Sequence, residues 1–127
     1  MQMISEKTLL MEEEGFTFTI SVSETDFKVN VCIIPLFRIF DNIFSNLMKY
    51  ADKTEDIRIS IETKEHYCMI QFDNQIYEQS EKIASTKIGL ENVRRLMEQQ
   101  LGELTIHESD KRFSLKLKFP IVFFSKV

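Results

Sequence analysis

Strict alternation of apolar and polar residues in five separate stretches limits what this chain can fold into. Ile57, Ile59 and Ile61 alternate with Arg58, Ser60 and Glu62, and Cys68, Ile70 and Phe72 follow after a turn at Thr63–Glu65. Phe16, Phe18, Ile20 and Val22 alternate with Thr17, Thr19 and Ser21. Leu104–His107 and the run Phe113, Leu115, Leu117 and Phe119 form a last pair, turning near Ser109–Lys111. Successive side chains of a strand point to opposite faces, so each stretch has one buried face and one wet face. A parallel sheet covered on both sides needs continuous apolar strands, and the sequence has none. The sheet is therefore expected to show water a face carrying Thr17, Thr19, Arg58, Ser60, Lys116 and Lys118, with helices covering the other.

Helical periodicity supplies that cover. Pro35 suits the first turn of a helix reaching about Tyr50, because its missing N–H would be unpaired there anyway. A second helix is expected from about Gly89 to Gln100, with Leu90, Val93, Met97 and Leu101 on one face and Gly102 as its stop. Residues 1–14 read as a further helix closing at Gly15. Its last residues, Glu12, Glu13 and Glu14, oppose the helix dipole, so this end is expected to fray or to be the tail of a preceding helix or linker. The segment from Glu24 to Val31 reads as a connection with a short edge strand, and the polar segment Gln75–Lys87 as a loop. The expected fold is α+β: a two-layer α/β sandwich, one domain over residues 1–127 with its core in 15–121, and a mixed sheet of about five strands with helices on one face.

Composition removes several functions. A chain of 127 residues is long enough for one core. The net charge of -4 argues against a nucleic-acid module. No apolar run reaches the roughly 18 residues of a membrane helix, so a cytoplasmic domain is expected. Cys32 and Cys68 are isolated, without metal-ligand spacing, and read as buried reduced thiols. The three glycines, Gly15, Gly89 and Gly102, stand too far apart for a Walker loop or a dinucleotide fingerprint.

The helix after Pro35 carries the chemistry. On a wheel of about 100° per residue, Leu36, Phe40, Ile43, Phe44 and Leu47 make the apolar face. Arg38, Asn42, Ser45, Asn46 and Lys49 form a stripe opposite, bordered by Tyr50. A polar stripe often serves solvation alone, but asparagine is a poor helix former, and two of them one turn apart need another reason. The stripe combines amide oxygens, a cation and an aromatic ring.

The run Arg38–Ala51 (RIFDNIFSNLMKYA) resembles the asparagine box of sensor histidine kinases, in the ATPase superfamily shared with gyrase and MutL. Ser85–Val93 (STKIGLENV) resembles the glycine-rich motif that opens the family's next helix, and the ending with Gly102, a hairpin and Phe119–Pro120 is similar as well. The resemblance implies the histidine kinase ATPase-like (Bergerat) fold and an ATP-binding catalytic domain that donates the γ-phosphate of Mg-ATP to a histidine on a separate dimerisation domain, with a response regulator downstream in the phosphorelay. It gives Asn46 as the Mg²⁺ ligand, Asn42 as its helper, Lys49 as a phosphate contact and Tyr50 as a ring near adenine. Hydrolases of the superfamily carry a water-activating Glu at the position of Asn42. An amide cannot act as a base there, which favours phosphotransfer over hydrolysis.

The resemblance is incomplete at the glycines. The family's Asp-x-Gly-x-Gly box appears as Asp73-Asn74-Gln75-Ile76-Tyr77. It implies that Asp73 accepts the adenine amino group, with Asn74 able to share or take that role. Around the phosphates the expected residues are Thr86, Lys87, Gly89 and Leu90, with Gly89 permitting close backbone approach at a helix N-terminus and Lys87 standing in a lost glycine's place. Neither His66, in a hairpin turn, nor His107, at a strand end, lies in a helix suited to a phosphoacceptor, so the acceptor is expected outside this chain and no catalytic residue is expected within it. The alternative function is a non-catalytic scaffold of the same fold, acting as a protein-interaction module.

Overall fold

A computed structural model describes residues 2–22, 28–29, 33–64, 67–76, 83–109 and 111–122. The element order is α1 (Gln2–Glu13), β1 (Phe18–Val22), β2 (Lys28–Val29), α2 (Ile33–Tyr50), β3 (Ile57–Lys64), β4 (Tyr67–Gln75), α3 (Ile83–Gln99), β5 (Glu103–Glu108) and β6 (Arg112–Val122). The strands lie in the order β1-β3-β4-β6, with β5 also paired to β6 and two-residue β2 joined to its end at Ile121–Val122. Among the described residues only the β1–β3 pair is parallel, so the sheet is mixed.

Alternation is realised as expected in β3 to β6, but not along β1, where Phe16 is buried and Phe18 half-buried while Ile20 and Val22 are exposed at the sheet edge. Ile57, Ile59, Ile61, Cys68, Ile70, Phe72, Leu104, Leu115, Leu117 and Phe119 are buried. On the helix side Ile39, Phe40, Ile43, Phe44 and Leu47 of α2 join Leu90, Val93 and Met97 of α3 in the same core. Phe72 is the junction of the layers, with ring centroids 5.7 Å from Phe44 and 6.4 Å from Phe40. Each of these buried large side chains contributes roughly 1.5–3 kcal/mol by leaving water. Thr19 and Arg58 are exposed on the other face, and Ser60, Lys116 and Lys118 half-exposed.

Helix α1 is packed rather than loose. Ile4, Thr8 and Met11, spaced by four and three, are buried, and Lys7 pairs with Asp41 of α2. Despite Glu12–Glu14, its end is closed by three backbone bonds, Glu14 N to Met11 O at 3.0 Å, Gly15 N to Glu12 O at 3.0 Å and Phe16 N to Met11 O at 3.2 Å. Gly15 takes the left-handed position, with φ 99°.

Three local expectations are corrected. Strand β4 does not end at Phe72: its ladder with β6 continues through Asp73, Asn74 and Gln75, opposite Ser114, Phe113 and Arg112. Helix α3 begins at Ile83, so Thr86, Lys87 and Gly89 lie inside it rather than in a loop or at its start. The apolar spacing Ile83, Leu90, Met97 carries the helix upstream, past the polar residues between. At its other end Leu101, not Gly102, occupies the left-handed position, with φ 60°. Gly102 is required for a different reason, since a Cβ there would stand 2.7 Å from Lys118 O and 2.8 Å from Met97 Cε. Cys32, His66 and the segment 77–82 lie outside the described residues.

Candidate functional site

The end of α2 and the end of β4 are tied together by backbone. Ala51 bridges Ile76, Asp52 N donates to Gln75 O at 2.9 Å, and Ile76 N donates to Lys111 O at 2.8 Å. Asp52 then holds the turn after α2: its carboxylate accepts from the Thr54 hydroxyl at 2.7 Å and the Thr54 amide at 2.9 Å. Those two bonds, the hydroxyl's first, hold its carboxyl below the usual carboxylate range. These ties fix how the last turns of α2 sit over the β4 end.

Two adjacent residues of β4 part company there. Asn74 shares the helix-facing side with Phe72, whose ring packs on Phe40 and Phe44, and it is 4 % exposed. One bond along the chain, Asp73 points to the wet face. It accepts from Ser114 Oγ at 2.5 Å and from Gln71 Nε2 at 3.2 Å. Asp73, expected as the adenine contact, therefore lies on the face away from the helices, because the strand continues past Phe72, and its neighbour Asn74 is the one on the helix-facing side.

The helix-facing side also holds unmet hydrogen-bonding capacity. Asn74 Nδ2 donates to Gln75 O at 3.0 Å, but its Oδ1 is buried without a partner, and so is Nδ2 of Asn46 on α2. A buried acceptor and a buried donor left open cost about 1–3 kcal/mol each, so such groups in a folded protein call for a bound polar group or water. Asn42 and Tyr50 are half-buried along the same helix, and Lys49 is exposed. Asp41, the nearest carboxylate in sequence to Asn42, is exposed and engaged by Lys7.

On α3 the arrangement differs from expectation. The free amides of a helix are its first four, here those of residues 83–86, so Thr86 qualifies while Gly89 and Leu90 fall within the hydrogen-bonded ladder. Leu90 is buried in the core. The side chains of Thr86 and Lys87 lie outside the described residues. The paired orphans Asn46 and Asn74 were only half legible in sequence: the first from the helix wheel, the second as an alternative to Asp73.

A metal fits this site only as company for a ligand. Among the described residues no group of three or more His, Cys, Asp or Glu side chains could hold one. Asn46 offers an amide whose nitrogen end is not held by the protein, so its oxygen end can turn to a cation. Mg²⁺ commonly accepts one or two protein oxygens and completes its shell with phosphate and water.

Comparison with known proteins agrees with this fold. The chain is 28% identical over 117 residues to the sensor histidine kinase YrkQ of Bacillus subtilis (strain 168), covering 92% of this chain and 27% of that protein. It thus spans about a quarter of that relative's length. Among solved structures, the nucleotide-free catalytic domain of histidine kinase ThkA superposes with a TM-score of 0.77 at 18% identity, covering 94% of this chain and 92% of that one. Full-length ShkA in complex with AMPPNP superposes at 0.76 and 13% identity, covering 98% and 30%. No helix among the described residues is long and apolar enough to cross a membrane. A family profile described as GHKL domain matches residues 27–120, most of the chain, and the protein therefore belongs to the GHKL domain family, with the fold of histidine kinase catalytic domains.

Proposed function

We propose that this domain binds Mg-ATP between α2, the end of β4 and the start of α3, and donates the γ-phosphate to a histidine on a separate dimerisation domain, with a response regulator as the later recipient. The observation that carries the reading is the buried pair of open polar atoms, Asn46 Nδ2 and Asn74 Oδ1, on the elements that the backbone ties at Ala51–Asp52 and Gln75–Ile76. Asn74 Oδ1 is an acceptor suited to an exocyclic amine, because its own amide nitrogen is already used on Gln75 O. Tyr50 would supply a ring near the adenine, and Lys49 a point charge for phosphate. The amide oxygen of Asn46 would hold Mg²⁺, which when bound neutralises phosphate charge.

What the chain lacks matters equally. Asn42 stands where a base would activate water, and an amide has no proton affinity for that task. Asp41 is engaged by Lys7. The site is thus suited to hold ATP without hydrolysing it until a nucleophile arrives. His107 is exposed on strand β5 rather than carried on a helix, so it is not read as the acceptor. The relative YrkQ is a sensor histidine kinase, in keeping with this role.

Calorimetric titration with ATP and Mg²⁺ tests the reading. Saturable heat is expected, lost in Asn46→Ala, with GTP binding more weakly than ATP. Transfer of label from γ-labelled ATP to an added histidine-bearing dimerisation domain is expected next. No binding at millimolar ATP would sink the proposal and leave a non-catalytic interaction scaffold.

A further inference from the structure

A second feature lies along the same two helices. The first half of α2 and the second half of α3 flank an open cleft of about 450 Å³, with Arg38, Asp41 and Asn42 on one wall and Asn92, Arg95 and Gln99 on the other. Leu96, half-buried against the core, lines it too. A volume of this size matches a small-molecule site and far exceeds a single inorganic ion.

Its charge is unusual for the molecule. The protein carries a net charge of -4, yet two guanidinium groups face this cleft. The cleft's carboxylate, Asp41, is taken by Lys7 from α1. Arg94, the neighbour of Arg95, is spent on Glu91 at 3.7 Å and on Leu104 O at 3.2 Å. Arg38 and Arg95 have no carboxylate partner among the described residues, and Arg95 instead donates to Asn92 Oδ1 at 2.5 Å, which turns its fork along the wall of the cleft. Two guanidinium groups on opposite walls, with amides between them, make a receptor for a doubly charged oxyanion. Arginine binds phosphate in bidentate fashion, and its planar fork suits that geometry better than a lysine would.

We propose that the α2–α3 cleft binds a polyphosphate group through Arg38 and Arg95. The group could come from the far end of a nucleotide's own phosphate chain, since Asn42 lines the cleft and belongs to the stripe of Asn46, or from a separate phosphorylated small molecule. The first source rests on the nucleotide reading above; the second stands without it.

The probe is pyrophosphate, titrated into the whole chain in the presence of a chelator so that no metal-dependent site contributes. Saturable binding is expected, and Arg38→Gln with Arg95→Gln should weaken it about tenfold or more, equal to roughly 1.4 kcal/mol. Asp41→Asn, which removes the one carboxylate of the cleft, should tighten it several-fold, and circular dichroism of each variant checks the fold. Repeating the titration with Mg²⁺ and saturating non-hydrolysable ATP analogue separates the sources: competition assigns the cleft to the nucleotide's phosphates, and undiminished binding assigns it to a separate ligand. Absence of saturable pyrophosphate binding, or equal affinity in the folded double variant, overturns the proposal, whatever the ATP titration gives.

Discussion

Asp73 and Asn74 are neighbours in one strand, and the two faces of the sheet treat them in opposite ways. On the wet face Asp73 carries a formal charge and has its needs met by Ser114 and Gln71, both in the open layer of side chains. On the helix face Asn74 is neutral, 4 % exposed and short of one partner. A carboxylate attracts attention in a sequence, but a satisfied carboxylate has no pull on a ligand. The unmet amide does, because burial has already removed water from it and any fitting donor recovers that loss. The better mark of a binding face here is therefore open hydrogen-bonding capacity, not charge.

That contrast can be broken by substitution, and the largest effect is expected at Asn46. Asn46→Ala removes the amide proposed to hold Mg²⁺, and Mg-ATP affinity should fall about 100-fold, close to 2.7 kcal/mol. The accompanying loss of stability should be small, since its buried Nδ2 has no partner to lose. Next comes Asn74→Leu. Gln75 O keeps its bond from Asp52 N when the Asn74 amide is removed, and the buried open acceptor disappears. Urea denaturation should show stability unchanged or raised by up to about 1 kcal/mol, while ATP affinity falls about tenfold. A variant that loses stability and keeps affinity would show that Asn74 is a structural amide and would erase the distinction between the faces.

Legibility in the sequence followed the tolerance of each pattern to small errors. The stripe Asn42, Asn46 and Lys49 was readable because a helix wheel moves a residue by only part of a turn when the boundary is misplaced, and α2 indeed starts two residues before Pro35. A strand is less forgiving. Ending β4 at Phe72 left Asp73 free to turn either way; adding three residues to the ladder fixed it on the wet face. The start of α3 was hidden by Ser85, Thr86 and Lys87, whose polarity outweighed the seven-residue spacing of Ile83, Leu90 and Met97. The α1 stripe includes Thr8, whose hydroxyl is satisfied on Ser5 O at 3.0 Å and so can be buried, a compensation no periodicity reveals. The swap of roles between Leu101 and Gly102 turned on the approach of Lys118 O, a contact between elements far apart in the chain.

The smallest effects belong to the wet face, where they sharpen the contrast by what they leave alone. Asp73→Ala removes acceptors for Ser114 Oγ and Gln71 Nε2, all half-exposed, so water replaces what is lost and the cost should be about 0.5–1.5 kcal/mol. Ser114→Ala removes its bond to Asp73 and the one it accepts from Gln71 Nε2 at 3.1 Å, but Gln71 keeps Asp73 as an acceptor, so the cost should fall in the lower half of that range. In the double variant the two changes should overlap, with a coupling of roughly 0.5–1 kcal/mol in a denaturation cycle, because they delete one shared bond. ATP affinity should stay within about twofold of the parent in all three, a free-energy difference below about 0.5 kcal/mol. A tenfold fall in ATP affinity for Asp73→Ala, with stability held, would reverse the assignment: the carboxylate would then reach the nucleotide from the far side of the sheet, and Asn74 would be left as filling beneath α2.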